Sequence, residues 1–218
     1  MRRIKRLLGL LWALRPGGEI HSRTKTITTS HDLDIKVVGE IPKKQCILVS
    51  NHLGYLDPII IASLVKCRPI AKRELANWPG IGGALKRLGL IFYDRGNIVS
   101  GARVMRQAIR VLFNKENVLV FPEGTTTRGD LVLPFKRGMF GVSKLTGIPV
   151  VPIRVDFANP DTSWAWEDTR TFMEHYWWQI GRDSTRVTVK FFDPVYPNAG
   201  EKACEMASRV HRLISLHK

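Results

Sequence analysis

Residues 51–57 read NHLGYLD, and further along the chain residues 121–125 read FPEGT. Four residues separate His52 from Asp57. Histidine takes up a proton near neutral pH, and a neighbouring carboxylate fixes its tautomer and steadies the imidazolium that forms. Such a pair can deprotonate a hydroxyl, a poor nucleophile on its own, so that it attacks a thioester carbonyl with no serine or cysteine nucleophile. A lone His-x4-Asp spacing is common by chance, so the second segment carries weight. Gly124 allows close backbone approach to a ligand, Thr125 offers a hydroxyl, and loop N–H groups can cradle phosphate oxygens. Glu123 would repel a phosphate. It reads as a group that orients Arg95 or bonds a substrate hydroxyl. Arg95 closes GLIFYDR, and its guanidinium suits bidentate phosphate binding or a surface pair with Asp94. Lys72 and Lys136 are weaker candidates, each equally readable as a solvated cation. The other histidines, His21, His31, His175, His211 and His217, have no comparable context.

The same segments carry a family resemblance. NHLGYLD is similar to the NHxxxxD block of the glycerolipid acyltransferases, specifically the 1-acyl-glycerol-3-phosphate acyltransferase family. GLIFYDR (89–95) resembles the family's second block, FPEGT its third, and IPVVPI (148–153) its fourth. AKREL (71–75) and PFKRG (134–138) look like its linking segments. The blocks keep the family's order, and the resemblance covers roughly residues 35–195. It implies O-acyl transfer from acyl-CoA or acyl-carrier protein to the free hydroxyl of a lysolipid, foremost 1-acyl-glycerol-3-phosphate to give phosphatidate. On this resemblance His52 is the base, Asp57 its partner, and Arg95, Glu123, Gly124 and Thr125 bind the acceptor, with Arg95 on its phosphate. No acyl-enzyme, metal or cofactor is implied; the acyl carrier is a co-substrate. One position departs from the pattern. The third block usually continues FPEGTR, whereas Thr126 stands here and the next cation is Arg128. FPEGTTT looks more like branches acting on other lysolipids, so lyso-ornithine lipid or another lysolipid is the alternative acceptor.

The elements that must position these residues read as α/β. DIKVVG, CILVSN, PIAK, LIFYD, NVLVF, PVVPIRVDF and RVTVKFF are short apolar or alternating runs of strand type. Asp57-Pro58 opens a helix, with aspartate as its N-cap and proline at the first position. A short helix is expected within WPGIGGALKRLG. Residues 100–114 place Val104, Ala108, Val111 and Leu112 on one helical face, KRGMFGVSKLTG is a helix ended by Gly147, and 199–217 form the last helix. Strands alternating with helices predict a mixed, largely parallel sheet covered by helices, like that of the glycerolipid acyltransferases. His52 follows a strand, where open α/β sheets keep their sites.

The chain has 218 residues, enough for one substantial core, and 34 Lys plus Arg against 19 Asp plus Glu give a net charge of +15. That balance suits phosphate esters, anionic lipid surfaces or nucleic acid. The chain has no helix-turn-helix signature, zinc-finger spacing or RNA-recognition octapeptide, so no nucleic-acid partner is expected. A non-catalytic basic protein that binds anionic membranes or nucleic acid is the reading from another class. Simple binding has no need of the His52–Asp57 pair. Cys46, Cys67 and Cys204 have no metal spacing and read as reduced thiols, Cys46 in the core.

The apolar run Leu7–Leu14 is about 12 Å long as a helix, far short of a hydrocarbon core of roughly 30 Å. Residues 1–15 therefore read as a basic, amphipathic membrane-anchoring helix, with a helix packed on the protein's own core as the alternative. Arg2, Arg3, Lys5 and Arg6 would meet lipid phosphates, and Leu7, Leu8, Leu11 and Trp12 would enter the headgroup boundary. Residues 16–34 read as a connector and 35–218 as the acyltransferase domain, peripheral on the cytoplasmic face of a membrane. The aromatics of 164–178 suit a membrane interface, an acyl-chain wall or core packing.

Overall fold

The computed structural model describes residues 1–79, 81–94, 98–158 and 171–216. Its strands are β1 (Leu33–Val38), β2 (Ile47–Ser50), β3 (Cys67–Lys72), β4 (Ile91–Tyr93), β5 (Asn117–Val120), β6 (Val150–Phe157) and β7 (Thr185–Phe191). They form one sheet in the order β1-β7-β6-β2-β5-β3-β4. From β6 to β4 all neighbours are parallel, β7 runs antiparallel to β6, and β1 is parallel to β7. The sheet is therefore mixed and largely parallel, as the sequence pattern predicts. The consequence for function is geometric: the carboxyl ends of β6, β2, β5, β3 and β4 share one edge.

Central parallel strands are covered on both faces, which is why β2 and β5 are apolar runs without polar alternation. Leu48 and Leu119 point into one core with Ile60 and Ile61 of α3 (Asp57–Leu64), Ile20 of α2 (Ile20–Ser30) and Tyr176 of α7 (Phe172–Gln179). Ile47, Val49 and Val118 point into the other, with Ala108 and Leu112 of α5 (Ile98–Phe113), Phe140 of α6 (Gly138–Thr146) and Val210 of α8 (Ala203–Ser215). Gly147 ends α6 in the left-handed conformation, φ 71°, where the missing Cβ removes a steric cost. A short α4 (Gly82–Arg87) precedes β4.

Two N-terminal expectations change. The connector is helical from Ile20 to Ser30. Its threonine-rich sequence has modest helix propensity, but Ile20, Thr24 and Ile27 recur on one buried face, and His21 Nδ1 bonds the Ala62 carbonyl of α3 at 2.8 Å. Tertiary packing overrides propensity here. A helix does form over the expected N-terminal segment, α1 (Arg2–Ala13), yet only part of its surface is open. Arg6 is 1% exposed and donates to the carbonyls of Ile180 at 3.2 Å and Arg182 at 2.8 Å. It cannot meet lipid phosphate while it does so. Leu7 packs against the core as well. Gly9 is where α1 meets α2: a Cβ there would lie 2.1 Å from Ser30 Oγ. Ile4, Leu8, Leu11 and Trp12 remain exposed.

Candidate active site

β2 and β5 pair in parallel with Val49 opposite Val120. His52 lies three residues past Val49 and Glu123 three past Val120, so residues distant in sequence emerge side by side at the sheet's carboxyl edge. Asn51 secures the exit from β2: its amide donates to the Val155 carbonyl at 2.9 Å and accepts from Val155 N–H at 2.8 Å. The His52 backbone is held at both ends. Its N–H donates to Glu123 Oε1 at 2.8 Å, and its carbonyl accepts from Thr127 N–H at 2.9 Å. The ring stacks on Phe121 with centroids 4.2 Å apart.

His52 Nδ1 donates to Asp57 Oδ2 at 2.8 Å. The same oxygen accepts from the N–H groups of Leu53 at 2.5 Å and Gly54 at 2.8 Å. Asp57 is completely buried, whereas the His52 side chain is 21% exposed. With Nδ1 committed to the carboxylate, Nε2 is the free nitrogen of the ring, and it has no partner among the described residues. The expected N-cap is corrected. Asp57 is the first residue inside α3, the cap position is Leu56, and the carboxylate turns back into the 53–54 loop instead of capping the helix. Chain reversal in that loop leaves two N–H groups pointing inward, and the carboxylate satisfies them.

Residues 33–156 match the family whose model is described as Acyltransferase. The chain belongs to this family. It is 24% identical over 84% of its length to a lyso-ornithine lipid O-acyltransferase of Pseudomonas aeruginosa, of which 71% is covered. It is 39% identical over 51% of its length to human 1-acyl-sn-glycerol-3-phosphate acyltransferase alpha, of which 41% is covered. Over 84% of its length it is 30% identical to a lysophospholipid acyltransferase of Arabidopsis thaliana, of which 47% is covered. The chain thus spans less than half of the latter two relatives. A crystal structure of a 1-acyl-sn-glycerophosphate acyltransferase from Thermotoga maritima shares the fold, with TM-score 0.62 and 23% identity over 98% of this chain and 95% of that one. The protein is an acyltransferase, and its named relatives make lipids.

In this acyltransferase Glu123 sits differently from the sequence expectation. It is buried, and its two oxygens accept from His52 N–H and from Leu133 N–H at 2.8 Å each. Burial raises its pKa, and those two hydrogen bonds oppose the rise. The carboxylate fastens the 121–136 loop to the His52 backbone. The loop is closed a second time by Lys136 N–H on the Pro122 carbonyl at 3.0 Å. Gly124 has φ 75°, and a Cβ there would come within 2.5 Å of Lys136 Nζ. The glycine thus makes room for the ammonium, which has no hydrogen-bond or ion-pair partner among the described residues. Thr125 is exposed beside it. Lys72 closes β3 at the same edge. Arg95 lies outside the described residues; Asp94 before it pairs with Arg73 of the AKREL segment at 2.6 Å.

Sequence reasoning missed Tyr55 and Asn51. The Tyr55 hydroxyl is 3.2 Å from His175 Nδ1, its ring meets Phe172 edge-on at 5.3 Å, and burial pushes its pKa up. Tyr55 lies inside NHLGYLD, so a side chain of that block facing an aromatic cluster was the available signal. Cys46 and Cys67 are buried free thiols, and burial pushes Cys46 up to about 12. Among the described residues no group of three His, Cys, Asp or Glu could hold a metal ion.

Proposed function

We propose that this acyltransferase moves a fatty acyl group from acyl-CoA or acyl-carrier protein to the free hydroxyl of a lysolipid, foremost 1-acyl-glycerol-3-phosphate. The observation that carries the reading is the hydrogen bond from His52 Nδ1 to buried Asp57, which leaves Nε2 as the basic nitrogen at the open edge of the sheet. The acceptor hydroxyl gives its proton to Nε2 as its oxygen attacks the thioester carbonyl carbon. Asp57 steadies the imidazolium. The tetrahedral intermediate expels the thiolate, which takes the proton back from Nε2, so the C–S bond breaks as the ester C–O bond is kept. Nothing in the scheme needs an acyl-enzyme.

On this reading Glu123 acts through His52 as a positioning residue. Gly124, Thr125 and the Lys136 ammonium face the acceptor, and Arg95 takes a phosphate oxygen if the acceptor has one. A second acceptor, lyso-ornithine lipid, is favoured by Thr126 in place of the family's arginine. The likeness to the Pseudomonas aeruginosa enzyme, over most of the chain, supports the same alternative. The enzyme works at the cytoplasmic surface of an anionic membrane, where soluble thioesters meet insoluble acceptors. No described helix is long and apolar enough to cross the membrane, and the exposed face of α1 supports peripheral attachment. A panel of lysolipids with a labelled acyl thioester, scored for acylated product, tests the reading. Product from lysophosphatidate above all others is the expected result, product from lyso-ornithine lipid alone selects the second acceptor, and product from none sinks both.

A further inference from the structure

Helix α7 has two unlike faces. Inward, Tyr176 and His175 are buried, and Phe172 and His175 hold Tyr55 of the 51–57 loop. Outward, Met173 is exposed, Trp177 is 50% exposed and Trp178 42%. A capping box at Thr171 and Glu174 fixes the start of this short helix, so its faces are set by local hydrogen bonds. Each outer indole lies against a cation: Arg3 sits 5.3 Å over the Trp177 ring and Arg182 4.5 Å over Trp178.

Arg3 comes from α1, whose N-terminal half abuts the end of α7. Arg6 bonds the carbonyls of Ile180 and Arg182, and Arg2 pairs with Asp183. One residue after Arg3 begins the outward stripe of α1: Ile4, Leu8 and Leu11, at a spacing that keeps them on one helical face. The apolar stripe of α1 and the indoles of α7 are therefore neighbours, joined across Arg3.

We infer that α1 and α7 form one lipid-contacting surface, with Trp177 and Trp178 as its second half, and that its occupant is the interface of an anionic bilayer. The inference rests on the lysolipid reading of the acceptor. Three features select a bilayer. Indole is the side chain that settles at headgroup depth, with an apolar body and a polar N–H. The guanidinium groups stacked on the rings stand where lipid phosphates would lie. The chain's net charge of +15 complements an anionic surface. The arrangement also ties the membrane to the chemistry, because the helix that meets lipid outside grips Tyr55 inside.

The test is co-sedimentation of the full chain with phosphatidylglycerol/phosphatidylcholine vesicles. Three proteins are compared: the unaltered chain, Trp177→Ala/Trp178→Ala, and Ile4→Ser/Leu8→Ser. All altered side chains are exposed, and unchanged circular dichroism and thermal midpoint verify folding. Both variants are expected to bind about tenfold or more weakly, and brominated lipid should quench less fluorescence in the tryptophan variant. If only the α1 variant weakens, the inference is overturned and α1 alone is the anchor. Equal binding by all three overturns it too. Because vesicle binding is read without turnover, a failure of the acyl-transfer reading would leave this result standing.

Discussion

In Asp57 one carboxylate oxygen accepts three hydrogen bonds while the other, equally buried, has no hydrogen-bond partner. This asymmetry lets two roles of the residue be separated. An asparagine can keep its carbonyl oxygen at the Oδ2 position and place its amide where Oδ1 was, so the Leu53 and Gly54 N–H groups stay bonded. What it loses is the charge that steadies the His52 imidazolium. Asp57→Asn should therefore fold with a near-normal thermal midpoint and lose turnover. Asp57→Ala should lose both, because each orphaned buried N–H costs about 1–3 kcal/mol. His52→Ala should fold and lose about 10²–10⁴ in kcat; near-normal turnover in that variant would end the mechanism. Glu123→Gln probes the neighbouring carboxylate. Glutamine has one acceptor for two backbone donors, so His52 or Leu133 would face an amide N–H. The expected signature is a lower kcat with little change in acceptor KM, whereas a residue touching the acceptor would raise KM. The pairing of His52 with Asp57 was expected from residue type and from the blocks that carry the family resemblance, and the two side chains do meet. The partners of Glu123 could not be read that way, because which N–H groups a loop leaves unpaired depends on its path in space.

At the scale of elements, arginines close helices. Arg23 donates to Trp12 O of α1 at 2.7 Å, Arg6 to Ile180 O and Arg182 O at the end of α7, and Arg154 to Ile214 O of α8 at 2.7 Å. All three are buried, and each cation meets carbonyls at or just past the carboxyl end of a helix, the negative end of its dipole. A sequence reading assigns such charges to solvent or partners, since burial of an arginine depends on carbonyls contributed by other elements. The strands were legible because central strands need apolar runs, and α5 and α6 because period and Gly147 marked them. α2 was not, because its helix depends on α1 and α3. Where α2 ends, His31 is buried between the Ile27 carbonyl at 2.8 Å and the Tyr176 hydroxyl at 2.9 Å. Burial, with Arg6 and Lys5 nearby and Asp32 opposing them, lowers its pKa to about 4. The folded state thus refuses a proton that the unfolded chain accepts below about 6.5. Stability is full above 6.5 and falls by about 1.4 kcal/mol per pH unit down to about 4. Denaturant unfolding at pH 7 and pH 5 should show a loss of about 2 kcal/mol from this site that His31→Gln removes. Identical losses in the two proteins would assign the pH dependence elsewhere.

For the whole molecule, the net charge of +15 divides into cations closed inside the fold and cations left to meet a partner. Arg6, Arg23 and Arg154 belong to the first group. Deleting residues 1–15 is therefore a poor probe of membrane attachment, since it also strips Arg6 from the end of α7. Lys136 belongs to the second group. Its ammonium lies over Gly124, next to a glutamate whose oxygens both bond backbone N–H groups, and it has no ion-pair partner among the described residues. If the acceptor carries a phosphate, Lys136→Ala should raise its KM several-fold and leave the KM of the thioester donor nearly unchanged. The effect should shrink as salt rises, because exposed charges are screened over about 8–10 Å near physiological ionic strength. Thr126→Arg tests the same field from the other direction. A further cation in this loop, beside Arg128 and Lys136, should shift preference toward lysophosphatidate over zwitterionic lysolipids, and the shift should be larger with Lys136 present than in the Lys136→Ala background. Acceptor KM values measured for both acceptors, at low and high salt, decide the matter. An unchanged KM in Lys136→Ala, together with no shift in Thr126→Arg, would remove phosphate recognition from this loop and favour lyso-ornithine lipid as the acceptor.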